Sequence, residues 1–158
     1  MTERLDGRLF GDENPCFGCA VDHPSGLRLE LVRGDDGVGT RFQPRDEHQG
    51  PPGLVHGGLL MTLADEVAAW AVIAATGKFG FTVGFEGRIL RAARIDRPLE
   101  ARGRAVKPDA RVIPVEVAIG QGDAEVLKAS FRFALLDAEK AEEVLGRPLP
   151  DAWRRFAK

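Results

Sequence analysis

The sequence predicts an α+β fold in which an antiparallel meander sheet wraps around one long central helix. Three observations lead there. Residues 59–75 carry only three polar side chains, Thr62, Asp65 and Glu66, and a helix apolar nearly all round is a buried one. Segments with period-two alternation lie on both sides of that run, which is strand patterning. Gly- and Pro-rich turns separate them. The strands must curve around the helix, because nothing else in the chain is left to cover it.

The elements follow in order. Residues 1–26 are expected to be an N-terminal leader with a Cys-x-x-Cys turn, its first fifteen residues mobile or loosely docked, 27–136 the main domain, and 137–158 a C-terminal helical extension. Leu27, Leu29 and Leu31 alternate with Arg28 and Glu30 as a strand, and Gly34-Asp35-Asp36-Gly37 turns the chain into a second one through Val38, Thr40 and Phe42. Residues 43–55 form a long Pro/Gly-rich loop, and long loops in compact domains are often functional. The helix runs to about Thr76, with Gly77 as its stop signal. Phe79, Phe81, Val83 and Phe85 then alternate, as do Leu99–Ala105, Val115–Ile119 and Leu127–Leu135. Asp137 is placed to cap a short helix ending before Gly146. Trp153 and Phe156 in the tail have the character of docking residues.

Bulk properties narrow the function. The chain has 158 residues, a net charge of −2 and 29% charged residues. That balance argues against a nucleic-acid partner. No signal-peptide pattern opens the chain and no 18-residue uncharged apolar span occurs, so no membrane partner and a cytoplasmic location are expected. The only serines, Ser25 and Ser130, do not sit in Gly-x-Ser-x-Gly, which excludes a nucleophile-elbow hydrolase. No phosphate-cradling or dinucleotide glycine motif is present, and there is no tyrosine to act as an acid.

The chemistry concentrates at Gln49-Gly50-Pro51-Pro52-Gly53-Leu54-Val55-His56-Gly57-Gly58 and the helix that follows. A helix start leaves backbone N–H groups without partners and favours negative charge. Gly57 and Gly58 have no Cβ, so a carbonyl oxygen that becomes an oxyanion can approach their backbone. Asp65, desolvated inside the apolar helix, should have its pKa raised into a useful range for a general base. Thr62, Asp65 and Glu66 share one stripe below the glycines, with Glu66 the rival acid, turned towards a strand or a subunit contact. His56 at a helix start is expected neutral and bonded to loop backbone.

This pattern, Gln-Gly-Pro-Pro-Gly-x-x-His-Gly-Gly with an acid nine positions after the His, resembles the hotdog-fold acyl-CoA thioesterases of the 4HBT superfamily. The likeness is to the phenylacetate-pathway type and the related mammalian mitochondrial long-chain enzymes, and it extends from about Cys16 to Leu136. The resemblance implies hydrolysis of an acyl-CoA, with Asp65 as general base or nucleophile and Gly57 N–H as oxyanion donor. It implies that these two come from different subunits of a homodimer, with a tetramer built from it, and that no cofactor is needed beyond the CoA carried by the substrate. Thr82 falls where relatives position water. One departure stands out: relatives carry Asn or Gln six residues before the His, where this chain has Gly50, so Gln49 or His48 would have to serve instead. Two other readings stay open, a hotdog enoyl-thioester hydratase or dehydratase built on His56 and Asp65, and a non-catalytic acyl-CoA-binding protein.

Arg91 and Lys107 are candidates for the CoA phosphates, although the surrounding charges are mixed as on a solvated strand face. Phe79, Phe81, Phe85, Phe131 and Phe133, with Trp70, either line an acyl tunnel or form plain core. Cys16 and Cys19 with His23 make three metal ligands where a structural zinc site takes four, so a tight turn with buried thiols and no metal is expected.

Overall fold

The computed structural model describes residues 2–158. Seven antiparallel strands form one sheet: β1 (Glu3–Asp6), β2 (Glu30–Gly34), β3 (Gly37–Phe42), β4 (Gly80–Ile89), β5 (Leu99–Ala105), β6 (Val112–Gln121) and β7 (Ala124–Leu135), in the order β1-β2-β3-β5-β6-β7-β4. The helix α1 (Gly57–Thr76) packs across the sheet against β3, β5, β6, β7 and β4. This is the hotdog arrangement: a sheet curled around one helix. Leu60, Leu63, Ala64, Val67, Ala68, Ala71 and Val72 are buried on it, with Trp70 beneath. By length and apolar character α1 alone would suffice to cross a bilayer; here half of that stretch is buried within the protein.

Local chemistry sets the ends of α1. Nδ1 of His56 accepts the Gly58 N–H at 2.9 Å, which occupies one of the helix's orphan donors. At the other end Gly77 adopts φ 72° and returns its N–H to Ile73, a left-handed stop that glycine makes without a Cβ clash. The close approach of helix to sheet also has a residue behind it. A Cβ on Gly103 of β5 would come within 2.9 Å of Val67 Cγ1 and 3.1 Å of its carbonyl oxygen.

Three expectations need correction. The N-terminal leader is not loosely docked: β1 pairs with β2 from Glu3–Arg33 to Asp6–Glu30. Its Leu5 is buried, and Phe10 packs against Trp70, Trp153 and Phe156. The unpaired edge of β2 and these apolar slots hold it, and they bring the two chain ends together. The strand expected to start at Leu27 begins only at Glu30, because Arg28 takes φ 54°. Leu27 and Leu29 instead donate their N–H groups to Phe17 and Gly18 at 2.8 and 2.9 Å, so this segment is laced to the Cys-x-x-Cys loop. Finally, the alternation through Phe79–Phe85 is broken. Val83 is an extra residue in β4, between the pairs Thr82–Phe133 and Gly84–Arg132, and such a bulge re-aims its neighbours.

After β7, Asp137 caps α2 (Ala138–Leu145) through the Lys140 N–H, and Gly146 ends it with φ 67°. A single further turn, α3 (Asp151–Arg154), brings Trp153 and Phe156 onto Phe10.

Candidate active site

An open groove of about 700 Å³ runs between α1 and the edge strand β4. Gly58, Thr62 and Asp65 face it from the helix, and Thr82, Phe85 and Phe131 from the sheet. Thr82 Oγ1 donates to Asp65 Oδ1 at 2.7 Å. Burial among apolar side chains raises the Asp65 carboxyl above its ordinary range, and the Thr82 hydroxyl offsets part of that rise by bonding the charged form. The bulge at Val83 sits directly after Thr82, where it sets the aim of that hydroxyl across to the helix. The remaining carboxylate oxygen has no hydrogen bond among the described residues.

Thr62 and Asp65 therefore share the groove as expected, but Glu66 does not face a strand of its own chain. It lies on the other side of α1, against the Cys-x-x-Cys loop. Trp70 Nε1 donates to its Oε1 at 3.1 Å, and Cys16 Sγ donates to the two carboxylate oxygens at 3.5 and 3.7 Å. Burial pushes Glu66 up to about 8. The hydrogen bond between the two thiols draws Cys16 down and pushes Cys19 up. Two neighbouring acids in sequence thus serve two separate places, because adjacent helical residues point about 100° apart.

The loop residues have structural duties. Gln49 spends its side chain on the loop itself: Nε2 donates to the Asp46 carbonyl at 2.9 Å and Oε1 accepts the Gly53 N–H at 2.7 Å. Its amide does not line the groove. His48 is buried beside Phe42, with Nδ1 accepting the Arg45 N–H at 2.9 Å. Burial holds its pKa below the ordinary histidine value. Gly50 has a local reason as well: a Cβ there would press on the His56 backbone and ring at 3.2 and 3.3 Å. His56 uses Nδ1 as an acceptor, so its remaining ring proton is on Nε2.

Gly57, the first residue of α1, has a backbone N–H without an acceptor among the described residues. It stands about 12 Å along the axis from Asp65, at 1.5 Å per residue over eight residues. Arg91 and Lys107 are both exposed and lie at opposite ends of β6: Arg91 meets Val126, and the Lys107 turn starts where Val106 meets Pro114. The intervening strand is roughly 20 Å, so one chain does not bring them together. Of the aromatic candidates, Phe85 and Phe131 stack at 5.7 Å on the groove wall, whereas Phe79, Phe133 and Trp70 are core. Met61 and the Val83–Gly84 bulge also shape the groove. The only sequence signal for them was a glycine inside a strand pattern, which marks bulges and close approaches.

Comparison with known proteins agrees with this fold. Residues 52–128 match the family model of the thioesterase superfamily. No curated protein matches the sequence significantly. Among solved structures, a hypothetical thioesterase from Streptococcus pneumoniae TIGR4 with coenzyme A is 26% identical. The match covers 67% of this chain and 86% of that one, with a TM-score of 0.62. Variants of the pneumococcal protein with an Asp or a Thr replaced by alanine match in the same way. A Streptococcus mutans UA159 protein bound to acetyl CoA is 25% identical over 67% of this chain and 86% of its own, with a TM-score of 0.62. A further thioesterase superfamily protein is 26% identical over 84% of this chain and 66% of its own, with a TM-score of 0.69. Sheet, central helix and the matched segment 52–128 are together similar to those of the thioesterase superfamily.

Proposed function

We propose that the protein is an acyl-CoA thioesterase that releases a free acid and CoA. The observation that carries this is the half-buried Asp65 bonded to the exposed Thr82 on an apolar groove beside a helix start with a spare N–H. With Thr82 holding Oδ1, the other carboxylate oxygen takes a proton from water as that water attacks the thioester carbon. The carbonyl oxygen becomes an oxyanion on Gly57 N–H, where the helix start stabilises it. Collapse of the intermediate breaks the C–S bond, and the proton held by Asp65 passes to the departing CoA sulfur. Met61, Phe85 and Phe131 offer the acyl chain an apolar wall. That a pneumococcal relative was solved with coenzyme A, and also as Asp-to-Ala and Thr-to-Ala variants, supports the same reading.

A thioester carbonyl spans far less than the about 12 Å between Asp65 and Gly57 of one helix, so the two groups must come from two copies. The exposed apolar edge of β4 supplies the contact for a homodimer. The hydratase reading would need His56 and Asp65 to act as a pair, and His56 is turned to its own helix start. The test is CoA release from short, long and aromatic acyl-CoAs, in wild type and Asp65→Asn. A wild-type rate on at least one substrate that the variant lowers by about 10²-fold or more is expected for loss of a general base. Equal slow rates in both would leave only a binding protein.

A further inference from the structure

The chain carries a second cluster that thioester hydrolysis does not use. Cys16 Sγ, Cys19 Sγ and a carboxylate oxygen of Glu66 all lie within 4.8 Å of one another. Glu66 is fifty residues from Cys16 in sequence. His23, the third ligand that sequence spacing suggested, is elsewhere: its Nδ1 accepts the Ser25 N–H at 3.3 Å and its ring sits on Phe17. We propose that Cys16, Cys19 and Glu66 bind one divalent cation of the zinc class, clamping the N-terminal loop onto α1.

Several independent features are those of a built site. The Cys19 N–H points at Cys16 Sγ at 3.4 Å, and the Asn14 amide Nδ2 donates to Cys19 Sγ at 3.6 Å. Hydrogen bonds of this kind hold metal-ligating sulfurs in place and support their negative charge. Trp70 Nε1–H fixes one oxygen of Glu66 and so orients the carboxylate. Gly18 is forced by the cluster: a Cβ there would lie 2.3 Å from the Glu66 carboxylate, so the loop closes on that group only without a side chain. No Lys or Arg pairs with Glu66 among the described residues. Buried carboxylates are ordinarily paired with a cation or bound to a metal. Two thiolates select a thiophilic ion, and zinc accepts mixed sulfur and carboxylate donors in a tetrahedron. The three protein ligands leave the fourth position to water. The site faces the opposite side of α1 from the substrate groove, so its part is to hold the helix that carries Asp65.

The experiment uses the full chain, produced in zinc-supplemented cells and purified under reductant without chelator. Metal analysis is expected to give about one zinc per chain, as for a preorganised structural ligand set. Cys16→Ser and Cys19→Ser should each lower occupancy at least about tenfold, and Glu66→Gln should weaken binding in a chelator competition. Cobalt(II) added to the metal-free wild type should give the intense near-ultraviolet absorption of a sulfur–cobalt bond, a readout that does not depend on any variant folding. The proposal is overturned if wild type holds only trace zinc and cobalt binds without that band. Retention of zinc by a variant lacking both thiols overturns it too, as does a Cys16–Cys19 disulfide in the purified protein. None of these outcomes touches the hydrolase reading, which is measured by CoA release.

Discussion

Asp65 is set between two opposing influences, burial that favours its neutral form and a Thr82 hydroxyl that favours the charged one. As the proposed general base Asp65 acts in its carboxylate form, so activity is expected to fall as pH drops through the raised pKa. The acid limb of kcat/KM should therefore lie above the ordinary carboxylate range. Thr82→Val removes the bond that favours the anion, and that limb should move to still higher pH while kcat drops about tenfold or more. A pH–rate profile in which the limb stays put or moves down would refute the assignment. The same shift has a stability consequence. A carboxyl whose folded pKa is raised contributes stability that is present below its unfolded pKa and lost as pH rises through the folded one. Asp65→Asn should thus unfold at higher urea than wild type at neutral pH while losing its activity, and the difference should vanish at acid pH. The two residues differ in how openly the sequence declared them. Asp65 stood out as an acid in an apolar run, nine positions after His56, whereas Thr82 looked like any strand threonine until the bulge at Val83 turned it to the helix.

At the scale of elements, α1 was legible almost to its last residue, since a long stretch between His56 and Gly77 that is apolar nearly all round has few alternatives. The hairpin turns were equally plain, because Gly and Asp at fixed places encode them locally. What stayed hidden depends on tertiary position: the pairing of β1 with β2, the side-chain staples of Gln49, and the meeting of Glu66 with the cysteines. None of these has a local sequence signal, since each partner is chosen by the curl of the sheet. Glycines show the same dependence. Gly87 and Gly103 read alike in sequence, as gaps in two strands. A Cβ on Gly87 would crowd the flexible end of Met61, at 2.7 Å to its sulfur, and make ordinary contact with Ala129 Cβ at 3.4 Å, while one on Gly103 would meet the α1 side chain and backbone at Val67. Met61 can swing aside; the helix cannot. Gly103→Ala should therefore cost about 1–3 kcal/mol in urea unfolding, the usual penalty of overpacking, and Gly87→Ala less than about 1 kcal/mol. Equal costs would mean that the helix is free to shift.

The whole molecule has an unfinished side. Among the described residues β4 pairs only with β7, and it exposes Val83 at 56%, Phe85 at 64% and Ile89 at 50%. A ten-residue open edge with three exposed apolar side chains is a template for another strand, and two-fold pairing of β4 with its copy would close both sheets into one. It would also bring a second α1 beside the groove, which is what the separation of Asp65 from Gly57 demands. Ile89→Glu at that edge should give a monomer by sedimentation and abolish CoA release although the Asp65–Thr82 pair is intact. Shared sites make a sharper prediction. Gly57→Pro removes the N–H without opposing the helix, since proline suits a first helical position and His56 before it already has φ −59° and ψ 130°. Gly57→Pro and Asp65→Asn should each be inactive alone. In a mixed dimer, one site loses both groups and the other keeps both. An equal mixture allowed to exchange subunits should then recover about a quarter of wild-type activity, half the dimers being mixed and each having one working site of two. If every site were built within one chain, the mixture would stay as inactive as its components.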